Sequence, residues 1–425
     1  MSIYPTVPLT DVAWFQEGPG ILAKDFTSEG IPLVRLSGLG GHEVTLRGCN
    51  HVSQDKGSSK WAHFRLGKGD ILVSTSASFG RPAVVGEEAD GALFYTGLIR
   101  FRTKSADLDE RYLKTFLGSR LFMRQAEAMA SGSVIQHFGP SHLRKMHVHL
   151  PPLPTQQAIA SIHSALDDKI ESNRKLNEAL LQMARAIFRD WFIDFGPTRA
   201  KVEGGEPYLE ATLWDKFPAK FGEDGIPNGW KSNPLDAVAD FLNGLALQKY
   251  PPTGVDDLPV IKIAQLRAGD TTGAGQASRT IPAKYVVEDG DVLFSWSGTL
   301  TQVIWTGGIG ALNQHLFKVS SANYPKWMYY LWVDHHLPAF QEIAAAKATT
   351  MGHIQRHHLT EAMATIADED IMNAADAVLA PLLEKVLANA LESRSLATTR
   401  DLVLPMLMSG NVSVGDIETM LAEAA

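Results

Sequence analysis

Two hydrophobic rhythms alternate along this chain. From Gln156 to Phe195 neither Pro nor Gly occurs, and Ile159, Ile162, Leu166, Ile170, Leu176, Leu180, Met183, Ile187 and Trp191 recur at intervals that suit one face of a helix. That pattern predicts a rod of roughly 60 Å, begun near Gln156 because Pro151, Pro152 and Pro154 precede it. A weaker second pattern carries Ile371, Val378, Leu379, Leu382, Leu383, Val386, Leu387, Leu391, Leu396 and Leu402. Pro381 predicts a kink or a delayed start there, and Leu404-Pro405 a break. Ahead of each helical pattern the rhythm shortens to β-branched and aromatic runs separated by Gly and Pro. Strands are expected at Val44–Leu46, Ile71–Ser74, Ala83–Val85 and Leu98–Phe101, then at Val260–Ile263, Val292–Trp296, Gln302–Trp305 and His315–Val319. Arg111–Ala130 and Lys326–Ala346 are amphipathic and read as helix.

The two halves echo each other in order. Ile31–Leu36 resembles Leu258–Ile263, and Gly69–Ser74 (GDILVS) matches Gly290–Ser295 (GDVLFS). His137, His142 and Leu143 coincide with His353, His358 and Leu359 at one common offset. Unequal offsets between the blocks place length differences in loops. A duplicated unit follows, each copy a strand-rich globular part backed by a long helix, so the fold class is α+β. Antiparallel pairing of the arms would form a coiled coil with approximate two-fold symmetry and a globular part at each end. Its seam is expected to contain Ile159, Ile162, Leu166, Ile170, Leu180 and Ile187 from the first arm and Leu379, Leu383 and Val386 from the second. The boundaries predicted are a first globular domain over 1–150, a helix over 151–195, a linker over 196–228, a second globular domain over 229–367, a helix over 368–410 and a mobile tail over 411–425. The linker is rich in Gly, Pro and charge, as a surface connection would be.

Composition narrows the function. No apolar run approaches a membrane span and the start lacks a signal peptide's pattern, so a cytoplasmic location is expected. A single cysteine, Cys49, excludes an intrachain disulfide and a multi-cysteine zinc site. The net charge of −8 is unevenly spread. Residues 1–150 hold 17 Lys+Arg against 14 Asp+Glu, a balance of +3, leaving −11 for the rest. The chain has no GxxxxGK[ST] loop, no GxGxxG after a strand, no [DN]PP[YF], no GxSxG and no HExxH. His353, His357 and His358 are the nearest approach to a metal site, but the first copy has nothing matching His357 and no carboxylate suggests a third ligand; no metal is expected. His147 and His149 suit hydrogen-bonded strand positions, and Asp70 and Asp291 suit a Gly-Asp turn entering a strand. No asymmetric cluster of reactive groups marks an enzyme.

With the duplication and the two arms in view, the chain resembles the specificity subunit of type I restriction-modification systems. The likeness spans nearly the whole length. It is carried by PPLPTQQAIASIHSALDDKIESNRKLNEALLQMARAIFRDWF from Pro151, by Pro227-Asn228-Gly229-Trp230, and by LATTRDLVLPMLMSG from Leu396 to Gly410. The second arm departs from the family pattern: Ala367-Asp368 stands where Pro151-Pro152 stand in the first. The resemblance implies a non-catalytic DNA-binding adaptor with two target recognition domains. Each would read half of a bipartite asymmetric site while the coiled coil sets the gap and docks two adenine-N6 methyltransferase (modification) subunits. It implies no cofactor in this chain, with S-adenosylmethionine, ATP and Mg on partner subunits, and restriction/translocase subunits joining the assembly. Two other readings remain: a structural coiled-coil scaffold, and the recognition part of a fused methyltransferase, against which the missing tetrapeptide speaks.

Base readout needs hydrogen-bonding side chains on loops that can enter a groove. The loop after each GD[IV]L strand offers Ser76, Ser78 and Arg81 in the first copy and Ser297, Thr299 and Gln302 in the second. The loops before the arms add Gln136 and His137, then Gln355 and Arg356.

Overall fold

The computed structural model describes residues 2–75, 82–129, 138–346, 352–417 and 419. They form two compact units, one built from Met1–Lys169 and Leu396–Ala425, the other from Ile170–Ser395. Each contains the same four-stranded antiparallel sheet. Its order is Ala13–Glu17, Leu98–Thr103, Ile71–Ser74, Ala83–Val84 in the first unit and Asp240–Asn243, Leu316–Ser320, Val292–Ser295, Gln302–Ile304 in the second. Ile71, Val73, Ile99 and Phe101 are buried against helices in one core; Val292, Phe294, Phe317 and Val319 are their counterparts in the other. A second small sheet in each unit contains one parallel pair, Ile31–Val34 with Leu93–Phe94 and Leu258–Ile261 with Gly310–Leu312. A two-stranded pair completes each unit: Thr6–Pro8 with His147–His149, and Lys231–Pro234 with Met363–Ile366.

The repeated Gly-Asp sequence is a turn in both copies. Gly69 and Gly290 have φ of 87° and 90°, a region that only glycine enters at little cost. The Asp70 carboxylate accepts the Gly67 N–H at 2.8 Å, and the Asp291 carboxylate accepts the Glu288 N–H at 2.8 Å. Each carboxylate also meets a cation on the neighbouring strand. Leu72 faces Arg100 and Leu293 faces Lys318 in the strand register. Asp70 pairs with Arg100 at 3.5 Å and with Arg102 at 2.7 Å, while Asp291 pairs with Lys318 at 2.7 Å. These aspartates are structural, which accounts for their recurrence.

Several elements differ from the sequence reading. Val44–Leu46 is not a strand; only Glu43 bridges to Val84. Ile263 opens a short helix, Ile263–Ala268, instead of ending a strand. The expected helix over Arg111–Ala130 is two helices, Glu110–Leu117 and Arg120–Met129, separated at Gly118-Ser119. Lys326–Ala346 is one helix with Pro338 inside it. The expected linker is ordered within the second unit. It contains helices Gly196–Glu203 and Ala211–Trp214, and Phe217 and Trp230 pack with Trp191 and Phe192 because four large aromatics outweigh the surrounding Gly and charge. The tail's first residues are likewise docked: Val412, Val414 and Ile417 lie against the core of the first unit.

The first long helix is Leu153–Phe188, continued by a π-type turn over Arg189–Ile193 that buries both Trp191 and Phe192. It begins earlier than Gln156 because Pro154 falls in the first turn, where a missing N–H leaves nothing unpaired. The second is a single helix over Glu369–Ser409, so Pro381 does not delay its start and Pro405 does not end it. Asp368 caps it, its carboxylate accepting the Ile371 N–H at 3.0 Å. Pro381 and Ala377, whose carbonyl the missing N–H would have met, both face solvent, where water can serve that carbonyl.

The two helices run antiparallel in each unit. In the first, Ile159, Ile162 and Leu166 lie with Val403, Leu404 and Leu407, and the Arg400 guanidinium bonds Asp167 at 2.6 Å. In the second, Leu379 and Leu383 are buried with Ala184 and Phe188, while Leu181 and Ile187 are partly buried. Ile170, Leu180 and Val386 are at least partly covered, whereas Leu176, Met183 and Leu402, which belong to the same apolar patterns, are exposed. Asparagines occupy the seam instead. Asn173 Nδ2 donates to Glu392 at 2.8 Å, Asn177 Nδ2 to the Val386 carbonyl at 3.0 Å, and Asn389 Nδ2 to Asn177 at 2.9 Å. No helix among the described residues is long and apolar enough to cross a membrane.

Candidate nucleic-acid interface

In the second unit the two candidate loops are stitched together at one end of the four-stranded sheet. The segment after strand Val292–Ser295 meets the segment before helix Arg356–Glu361. Gly298 N–H donates to the Gly352 carbonyl at 2.8 Å, Ile354 N–H to the Trp296 carbonyl at 3.0 Å, and Ser297 bridges His353. The Ser295 hydroxyl closes the first loop by donating to the Thr299 carbonyl at 2.7 Å. The surface so formed presents Thr299, Gln355 and Arg356 to solvent.

Two expected contacts are corrected. Ser297 is buried and shares a hydrogen bond of 2.9 Å with His315 Nδ1, so it holds the loop and does not reach outward. Gln302 turns inward: its amide donates to the Tyr330 carbonyl at 3.0 Å, because residue 302 opens an edge strand whose side chain meets the helix below. Ser76, Ser78, Arg81, Gln136 and His137 lie outside the described residues. The strand that leads to the first-copy loop, Ile71–Ser74, is described, and Phe138 N–H donates to the Thr75 carbonyl at 3.2 Å. The two loop stems of the first unit therefore meet as they do in the second.

Sequence reasoning passed over the aromatic residues beneath this surface. Trp296 donates its indole N–H to Asn243 at 2.9 Å, and its ring lies 6.0 Å from Phe317 and 6.3 Å from His353. The Arg356 guanidinium sits 5.6 Å from the Phe317 ring centroid and donates to the Phe241 carbonyl at 3.2 Å. A lone tryptophan among small hydroxyl residues, in Ser-Trp-Ser-Gly-Thr, was the signal available.

A family profile described as "Type I restriction modification DNA specificity domain" matches residues 2–182. Relatives are similar over longer spans. The type I restriction enzyme MjaIX specificity subunit of Methanocaldococcus jannaschii is 22% identical over 411 residues, covering 94% of this chain and 90% of its own. The HindI specificity subunit of Haemophilus influenzae is 24% identical over 323 residues, covering 63% and 69%. Residues 2–182 thus carry a type I restriction modification DNA specificity domain, and most of the chain is similar to type I specificity subunits. Among solved structures, the S subunit from M. genitalium is aligned over 96% of both chains at 14% identity with a TM-score of 0.48, and the HsdS subunit from Thermoanaerobacter tengcongensis at 17% identity with 0.36.

The recurring histidines also find their explanation. His142 Nδ1 accepts the Gly139 N–H at 3.1 Å, and His358 Nδ1 accepts the Gln355 N–H at 2.9 Å. Each imidazole thus satisfies the first backbone donor of a short helix, Pro140–Leu143 or Arg356–Glu361. His353 does not join His357 and His358; Glu361 does, its carboxylate within 4.8 Å of both rings, contrary to the expectation that no carboxylate stands near. One ligand atom of the trio, His358 Nδ1, is already engaged by the Gln355 N–H. His149 Nδ1 pairs with the Thr6 hydroxyl at 2.9 Å.

Proposed function

We propose that each unit of this chain reads one half of a bipartite, asymmetric DNA site, and that the two long helices fix the unread gap and dock two methyltransferase subunits. The observation that carries this reading is the sheet built twice to one register, with the same Gly-Asp turn and cation partner, ending in loops whose sequences differ. A scaffold would have no use for two differently furnished copies of a loop platform. Two readers on one face of a duplex would be separated by about one helical turn, roughly 10 bp. Thr299, Gln355 and Arg356 are the described side chains offered to base edges or phosphates; Ser76, Ser78, Arg81, Gln136 and His137 are their candidates in the first unit.

On this reading the chain is the non-catalytic member of an assembly with DNA, methyltransferase and restriction subunits, as its likeness to specificity subunits supports. The finer partner chemistry is part of the proposal. The modification subunits would supply S-adenosylmethionine for adenine-N6 transfer, and the restriction/translocase subunits ATP and Mg, in the cytoplasm. Partner surfaces would also provide the positive charge that a chain of net charge −8 lacks for phosphate contact. Methylation mapping of DNA from cells carrying the full system tests this. One motif of two short halves with a constant gap is expected, lost when this chain is deleted; a continuous motif, or one that survives deletion, overturns it.

A further inference from the structure

The second unit contains a cavity of ≈280 Å³ at the meeting of its two loops, lined by Asn243, Trp296, Phe317, His353, Gln355 and Arg356. We propose that this cavity receives a single nucleobase turned out of the duplex. The inference rests on the reading of this surface as a DNA interface and adds to it a mode of recognition. Groove readers project side chains outward to base edges. Here the candidate contacts Gln355 and Arg356 stand at the rim of a hollow, and its walls are aromatic: Trp296, Phe317 and His353. Flat π-faces beside a few hydrogen-bonding groups are the chemistry that holds an unstacked base, since any base can stack and its edge can then be read. The volume lies at the low end for small-molecule sites, suited to one ring system.

Among the described residues, this aromatic set occurs in the second unit. Strand register places Ile99 where Phe317 stands and Glu17 where Asn243 stands. Thr75 follows strand Ile71–Ser74 as Trp296 follows Val292–Ser295. At the described positions the second unit therefore offers aromatic side chains where the first has aliphatic and acidic ones, so the second half-site is the one expected to lose a base from its stack.

The test uses this chain assembled with its methyltransferase partners and duplexes of the mapped site carrying a mismatch at one position at a time. A mismatch already pays the unstacking cost, so at one position of the second half-site it should tighten binding about tenfold. Trp296→Ala should abolish that gain, Trp296→Phe should keep most of it, and no position in the first half-site should respond to either variant. A gain that survives Trp296→Ala places the base in a partner's site and overturns the proposal, as does the absence of any gain. If Thr299→Ala and Gln355→Ala leave binding to the matched site unchanged, the reading of the whole surface fails. If they weaken it while no mismatch effect depends on Trp296, only the hollow fails. Unchanged discrimination at the first half-site verifies that each variant is folded.

Discussion

The two sheets share a register and a turn but enclose their aspartates differently. Asp70 is buried with Arg100, which also donates to the Arg65 and His63 carbonyls and to Gln16, and its other partner is Arg102. Asp291 is less deeply placed and answers to Lys318, whose ammonium also donates to the Val286 carbonyl at 3.0 Å. Duplication preserved the geometry of the turn while the surrounding dielectric diverged. A buried charge is costly to leave alone, and a partly exposed one can be served by water. The comparison teaches that a recurring residue marks a recurring backbone need, and that its energetic weight is set by the neighbours each copy has acquired.

The largest expected effect follows from this. Asp70→Ala strands the buried Arg100 guanidinium and should destabilise the first unit by about 3–5 kcal/mol, whereas Asp291→Ala should cost about 1 kcal/mol or less. Denaturant unfolding of the two variants checks the contrast, and equal losses would break it. Next comes the helix seam. Asn389→Ala leaves the Asn177 amide without its buried partner and should cost about 1–3 kcal/mol, while the double change Asn177→Leu with Asn389→Leu should recover much of that loss by apolar packing; a double variant worse than the single would show the polar layer to be irreplaceable. The smallest effect concerns acid. Burial is the leading cause that holds His335 and His336 in the second unit, and His163 in the first, below the usual imidazole range. Such groups bind protons more readily when unfolded, so stability is full at neutral pH and falls as pH drops through about 6.5 toward the depressed folded values. The melting temperature should therefore decline between about pH 7 and pH 5, more shallowly in His335→Asn with His336→Asn. A rise on acidification would contradict the assigned shifts.

Much of this was legible in the sequence wherever a local requirement produced a local signature. The Gly-Asp turns were visible because a left-handed φ demands glycine, and the first arm because apolar spacing survives over many turns. Legibility failed where hydrophobicity was followed against the period. The step of six from Ile170 to Leu176 breaks a helical seam; keeping steps of three and four leads to Asn173, Asn177, Leu180 or Leu181, and Ala184, the residues the seam uses. Leu176 and Met183 point to water for the same reason. The second arm's start was hidden because its signal is one capping aspartate, Asp368, in place of a proline pair. The loop surface was partly legible: Thr299, Gln355 and Arg356 are exposed, but Ser297 and Gln302 are polar residues satisfied from within, which side-chain type alone does not disclose.

The division of the chain into units also bears on its synthesis. Leu404, Leu407, Met408 and Ile417 complete the core that Leu9, Ile71 and Phe101 begin, so the N-terminal unit is interrupted by the whole of Ile170–Ser395. At ribosomal rates of about 5–20 residues per second, those intervening residues impose a wait of roughly 10–45 s. Throughout it, the nascent N-terminal unit carries an uncovered apolar strip along Ile159 and Ala160. The second unit, continuous in sequence, can close first, and the half of the protein made earliest is the half finished last.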